Sequence, residues 1–265
     1  MTLRERGIPP SRRAGARLRA ALAEKGAGHV LRRAVPVVLG RLAEAAHCLA
    51  CRHLKSRRFT LGGRSYPYFS SRVSRVSWAS ERTVELPVVL EILRARPGVR
   101  VLEVGNVLNV YVENDHDVLD KYDATPGIIR ADIADFRPEC PYDLVVCIST
   151  LEHVGWDFGE ARDPGRTRAA FEALRGCVAP GGLLVATVPL GYNEALDRMI
   201  DEGAVRFDRR LCLRRLGWRN AWRETTWEEA REAPYDHRVP TANGLLIGLV
   251  GAVAADASLP GAAAP

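Results

Sequence analysis

A long apolar run is missing from this 265-residue sequence: the stretches Leu183 to Tyr192 and Ala242 to Ala255 fall short of the about 20 apolar residues a bilayer-spanning helix needs. No transmembrane helix is therefore expected. Ala34 to Gly40 is apolar but short, contains Pro36 and lacks a small-residue cleavage site before Arg41, so no secretory leader is expected and the cytoplasm is the expected location. A second closely spaced cysteine pair is missing too. Cys48 and Cys51, with His47 and His53 beside them, have metal-like spacing, but tetrahedral zinc needs four placed ligands, and two cysteines one helical turn apart are more simply a packed face. No metal site is expected. The remaining cysteines, 140, 147, 177 and 212, lie mostly in apolar runs, which suits reduced core thiols better than a disulfide framework.

Charge is uneven. Residues 1 to 64 hold 15 Lys or Arg against 3 Asp or Glu, whereas the rest of the chain is net acidic. The first 30 residues, rich in Arg, Ala and Gly without apolar period, read as a flexible arm, and Val30 to Lys55 reads as a basic amphipathic helix broken near Pro36. Such an extension suits an anionic membrane surface or nucleic acid, and equally a solvated tail. The expected organisation is a basic arm and helix over 1–57, a hairpin and linker over 58–77, an α/β domain over 78–256 and a flexible tail over 257–265. The oligomeric state is not legible.

Arg58 to Phe69 alternates about Gly62-Gly63, the pattern of a short hairpin, and its aromatics Tyr66, Tyr68 and Phe69 either line a substrate mouth or pack on a neighbouring face. From Trp78 onward, helical patterns alternate with very apolar strands, which specifies a doubly wound, mainly parallel sheet. Strands are expected at Val99 to Val104, His116 to Asp120, Gly127 to Ala131, Asp143 to Ile148, Leu183 to Val188 and Leu245 to Val253. Asp163-Pro164 starts a helix whose apolar face comprises Ala169, Phe171, Leu174, Cys177 and Val178, and Pro180-Gly181-Gly182 stops it.

Ligands of open α/β sheets sit beyond the carboxyl ends of the strands, and there this sequence is unusually polar. Glu103-Val104-Gly105-Asn106 closes the first strand, Asp120-Lys121-Tyr122-Asp123 the second, Asp132-Ile133 the third and Ser149-Thr150-Leu151-Glu152-His153 the fourth. Val101 to Asn109 resembles the nucleotide loop of class I S-adenosylmethionine-dependent methyltransferases, apolar-Glu-apolar-Gly-x-Gly-x-Gly. Tyr142 to Val154 resembles that family's fourth strand with its trailing Leu-Glu-His, and Val178 to Gly182 its turn into the fifth.

The resemblance implies a seven-stranded sheet of that family's kind and S-adenosylmethionine as cofactor. It implies Asp120, with Lys121, at the ribose; Asp132 and the Ile133 amide at adenine; Glu103, Gly105 and Asn106 at the methionine end; and Ser149 and Leu151 beside the transferable methyl. His153, Glu152 and Asp157 are the candidates for acid–base work, His153 first because an imidazole titrates near neutrality. Trp156, Tyr192 and Asn193 are the candidates for holding a polar small-molecule acceptor.

The sequence departs from the family at the second and third loop glycines, where Val107 and Asn109 stand. A phosphate-free cofactor tolerates a bulkier loop. A nicotinamide dinucleotide does not, and Gly-x-Gly-x-x-Gly is absent. Beside a small-molecule methyltransferase, two alternatives remain: a module that binds the adenosyl cofactor without turnover, and a nucleic-acid methyltransferase. The acidic catalytic half and the absence of an Asn-Pro-Pro-Tyr-like segment count against the last.

Overall fold

The computed structural model describes residues 57–71, 79–156, 161–236 and 241–251, with part of 40–53. Most of the basic arm, the Cys48 and Cys51 pair, Trp78, Asp157 and the tail lie outside the described residues. Those described between 40 and 53 are helical.

A two-stranded hairpin comes first, β1 (Arg58–Leu61) and β2 (Arg64–Pro67), turning at Gly62-Gly63 as expected. Helix α1 (Arg82–Arg94) follows, and it contains Pro87. Proline removes the N–H that would have bonded the Thr83 carbonyl one turn back. Phe69 donates to that carbonyl instead, at 2.8 Å, so the sequence's awkward residue becomes the point where the hairpin exit is tied to the helix.

The main sheet has eight strands in the order β5-β4-β3-β6-β7-β10-β8-β9. Strands β3 (Val101–Val104), β4 (Asp117–Leu119), β5 (Ile128–Ile129), β6 (Tyr142–Ile148) and β7 (Val178–Pro189) pair in parallel, and β10 (Gly244–Gly251) runs antiparallel to β7 and to β8 (Arg209–Leu216). The expected α/β class holds. One strand more than expected, β9 (Ala221–Thr225), pairs with β8 at the edge, in the tryptophan-rich segment.

Period-two alternation sends neighbouring side chains to opposite faces. In β6, Val145 and Cys147 join one apolar layer with Phe171 and Leu174 of α2 (Pro164–Gly176), while Leu144, Val146 and Ile148 join the other with α1 and the hairpin. Asp163 caps α2 through its side chain and Pro164 opens it, as the sequence implied; its buried face is Ala170, Phe171, Ala173 and Leu174, with Ala169 turned to solvent. Two shorter helices, α3 (Glu194–Asp201) and α4 (Trp227–Arg231), complete the α2 side. Tyr66 is fully buried and Phe59 stacks on it, so the hairpin aromatics pack. Among the described residues, no helix is long and apolar enough to cross a membrane.

Candidate functional site

From β3 the chain moves outward to β4 and β5, then crosses back to lay β6 on the other side of β3. Neighbouring loops therefore leave the sheet in opposite directions at the carboxyl ends of β3 and β6, and a crevice must open there. The crevice is a cavity of about 260 Å³, its walls including Gly105, Asn106, Asp120, Asp132, Thr150 and His153.

The β3 loop is shaped for close approach. Gly105 has φ +84°, a region that Cβ-bearing residues avoid, and a Cβ there would overlap the Thr150 hydroxyl outright. Glu103 is fully buried behind the loop: one carboxylate oxygen accepts from the Val107 and Leu108 amides at 2.9 and 2.7 Å, the other meets His116 Nε2 at 2.9 Å. Its carboxylate holds the loop in place rather than lining the cavity. Val107, which replaces a family glycine, forms part of the wall without filling the space, because its side chain leans on the α1 layer.

Asp120 closes β4. One oxygen accepts from the Tyr122 and Asp123 amides at 2.8 and 2.9 Å, and the other from the Asn106 amide at 3.1 Å, so one carboxylate staples two loops across the cavity. Each carboxylate oxygen has two acceptor directions, which leaves Asp120 capacity for a ligand hydroxyl. Asn106 continues the staple through its side chain, donating to Asp123 at 2.7 Å. Asp132 is held by Arg166 at 2.8 Å and by Lys121 at 3.4 Å. Burial raises its carboxyl, but the Arg166 hydrogen bond and charge and the Ala134 amide outweigh that, and the net displacement is downward. Lys121 and Ile133 also border the cavity.

Four sequence-derived assignments are corrected. Ser149, expected at the cofactor's methyl, is buried with φ +41°; its hydroxyl donates to Glu85, whose same oxygen accepts from Thr187 at 2.7 Å. Leu151 is core. The positive φ of Ser149 and the short 3₁₀ turn Leu151–His153 keep these two side chains behind the wall, and Thr150 lines the cavity in their place. Asn193, expected to hold an acceptor, is fully buried: it caps α3 by accepting from the Leu196 amide and donates to the Glu152 carbonyl, both at 3.0 Å. Asn ahead of Glu-Ala-Leu is an N-cap signature that the sequence already carried. Glu103, as described, supports the loop from behind.

His153 stands on the cavity wall, its ring 4.6 Å edge-on from Tyr192, which in turn meets Tyr235 at 5.2 Å. Glu152 is buried beside it, Oε1 lying 3.7 Å from His153 Nε2. Trp156 lies under Arg162, 4.2 Å from guanidinium to ring. Sequence reasoning missed the partners that reach this corner from afar, Glu81 and Glu85 at the start of α1, because no local pattern joins them to β6. Among the described residues, no cluster suits a metal ion.

Tyr192 is carried on a turn whose Gly191 amide donates to Asp197 Oδ2 at 2.7 Å, while Asp197 Oδ1 is buried without a partner. Burial pushes the Asp197 carboxyl up to about 6, against the Gly191 amide and the Arg231 charge. A carboxyl raised in the fold favours the folded state more as pH falls through that value, and penalises it above. Asp197→Asn is thus expected to raise stability at pH 8 by about 1 kcal/mol, or ~2–4 °C, with the gain vanishing below about pH 4, where the aspartate is neutral in both states. Thermal melts of both proteins across that range check this; a variant melting no higher at pH 8 contradicts it.

No protein-family model matches the chain, and no curated protein matches it. Among solved structures it is similar to the amino pentose methyltransferase CalS10 from Micromonospora echinaspora, at 25% identity over 37% of this chain and 47% of that one, with a TM-score of 0.27. It is similar also to the N-methyltransferase NodS from Bradyrhizobium japonicum, at 16% identity over 64% of this chain and 89% of that one, TM-score 0.37. The sugar N-methyltransferase KedS8 from a Streptoalloteichus species matches at 14% identity over 62% and 85%, TM-score 0.31. The chain spans about half the length of CalS10 and of a methyltransferase from Clostridium acetobutylicum, 47% and 49%.

Proposed function

We propose that this chain is an S-adenosylmethionine-dependent methyltransferase acting on an oxygen or nitrogen of a small polar metabolite or sugar-like intermediate. The observation that carries the reading is the convergence of Gly105, Asp120 and Asp132 on one cavity at the strand-order reversal. The residues present fit the cofactor: a glycine cradle admits close approach, carboxylates at two strand ends accept from hydroxyl and amino groups, and no phosphate site is required.

In this reading Asp120 accepts from the ribose hydroxyls, with Lys121 alongside. Asp132 and the Ile133 amide meet adenine, and Gly105 and Asn106 border the methionine end. The sulfonium cofactor supplies an electrophilic methyl carbon, so the protein's work is alignment, exclusion of water and management of one proton. In this reading His153, on the cavity wall, manages that proton with Glu152 buried behind it; Asp157 belongs to the same proposal and lies outside the described residues. In the same reading Tyr192, edge-on to His153, and Trp156 hold the acceptor.

The test is transfer of labelled methyl from S-adenosylmethionine to fractionated small metabolites. Label in a small-molecule fraction supports the proposal. Label in nucleic acid instead, lost on deleting residues 1 to 57 and steeply salt-dependent, would favour the nucleic-acid alternative. Cofactor binding without transfer to any fraction would favour the non-catalytic module.

A further inference from the structure

Behind His153 lies a group of buried acids that does not line the cofactor cavity. Glu81, Glu85 and Glu152 are all buried, drawn together from the start of α1 and from the turn after β6. Two of them are satisfied. Glu85 binds Arg82 at 2.6 Å and accepts from Ser149 and Thr187; Glu81 accepts from the Thr241 hydroxyl and the Ala242 amide at 3.2 and 3.1 Å. Glu152 is not: its Oε2 is buried with no hydrogen-bond partner, and its Oε1 lies 3.7 Å from the His153 ring.

An unpaired buried carboxylate is costly, and native structures keep one where a ligand completes it. The groups facing it are Glu81, Arg82 and Glu85 from α1 and its cap, Cys147 from β6, His153 from its own turn, and Tyr235 from the segment after α4. Beyond Tyr235 stands Tyr192. Arg82 is the one cation among these α1 groups, and Arg215 is engaged on the Thr241 hydroxyl and the Ala79 carbonyl, so around Glu152 the named carboxylates outnumber the arginines. The missing partner is a cation or a hydrogen-bond donor, and the Tyr192 and Tyr235 rings favour a cation.

We infer that the methyl acceptor is an amine, its nitrogen received at Glu152 Oε2 between His153 and Tyr192, with Glu152 as the group that takes the ammonium proton. This rests on the methyltransferase reading and deepens it. Burial, followed by the Glu85 and Glu81 charges, pushes the Glu152 carboxyl well above the usual range against its backbone hydrogen bond and Arg82, which suits a group that must take up a proton. An incoming ammonium ion pairs with the carboxylate. The proton on nitrogen then passes to Glu152, freeing the lone pair. The new nitrogen–carbon bond forms as the carbon–sulfur bond breaks, its electron pair staying on sulfur, which leaves a methylated ammonium and the neutral thioether.

Full-length protein, S-adenosyl-[methyl-14C]methionine and a small-metabolite extract test this, half the extract having been treated with acetic anhydride in bicarbonate to block amines and spare hydroxyls. Label is expected in the untreated half, on a product retained by a cation exchanger, and at least tenfold less in the acetylated half. Glu152→Gln is expected to lower transfer by about 100-fold, the lower end for general acid–base groups, while S-adenosylhomocysteine affinity stays within threefold. It should also melt no lower than the parent, since the amide keeps the side chain's shape and Oε2 has no hydrogen-bond partner to lose; a merely structural role would move stability and not the split between transfer and cofactor binding. Transfer that survives acetylation, undiminished transfer by Glu152→Gln, or S-adenosylhomocysteine binding without amine methylation would each overturn the inference. Failure of both proteins to bind S-adenosylhomocysteine would overturn the methyltransferase reading beneath it.

Discussion

Gly105→Ala should weaken S-adenosylhomocysteine binding by about 100-fold, about 2.8 kcal/mol at about 1.4 kcal/mol per tenfold. Two physical effects combine. At φ +84° a residue with a Cβ carries a strain of about 1–3 kcal/mol. The new Cβ would also stand 2.9 Å from Thr150 Cγ2 and 3.0 Å from its Cβ, besides overlapping the hydroxyl, so Thr150 must move, and Thr150 is cavity wall. The double variant Gly105→Ala with Thr150→Ala separates the two: it removes the clash and keeps the backbone strain, so affinity should recover by about tenfold and not fully. Calorimetric titration of the three proteins, each checked for an unchanged far-ultraviolet spectrum, decides the matter. Wild-type affinity in the single variant would mean that the loop does not touch a ligand.

Asp120→Ala should cost a similar amount by another route. Removing the carboxylate strands the amides of Asn106, Tyr122 and Asp123, and a part-buried donor left without an acceptor costs about 1–3 kcal/mol. The ribose loses its acceptor in the same step. Asp120→Asn is the graded control: its carbonyl still serves Tyr122 and Asp123, but its NH₂ now meets the Asn106 N–H donor to donor. The expected order of affinity is wild type, then Asn, then Ala, with Ala about 100-fold below wild type. Equal affinities would place the carboxylate's work wholly in the loops and remove it from the ligand.

How far the sequence disclosed this depends on the range of the interaction that decides each feature. Strands buried on both faces read as continuous apolar runs, which is why the parallel β3, β6 and β7 and the antiparallel β10 were legible, and the Asp163-Pro164 start of α2 is a local signal of capping and fixed φ. Strand β8 was not legible. Its Arg-Arg-Leu-Cys-Leu-Arg-Arg-Leu places Leu211 and Leu213 on the α1 layer and Cys212 on the other, but arginines at both ends, held in part by Thr241 and the Glu229 carbonyl, disguise a buried strand as surface. The edge strand β9 was concealed in the same way by its tryptophan-rich, charged composition.

The site shows the same division. Gly105, Asp120 and Asp132 sit where a strand stops, and the rule about strand ends found them. Ser149, Leu151 and Asn193 were misplaced because a 3₁₀ turn and a capping bond, both tertiary in consequence, set their direction. The acid group around Glu152 was invisible as a group: Ser149 and Thr187 meet Glu85 across 64 and 102 positions of sequence, and only the folded sheet brings them together.

The central claim is that the hollow at the strand-order reversal receives one adenosyl group. Titration of the full-length protein with S-adenosylhomocysteine by calorimetry, with NADH as the comparison, tests it most directly. The account predicts saturable heat at one site per chain with the first ligand and none with the second; no heat with S-adenosylhomocysteine, or equal heat with NADH, would contradict it.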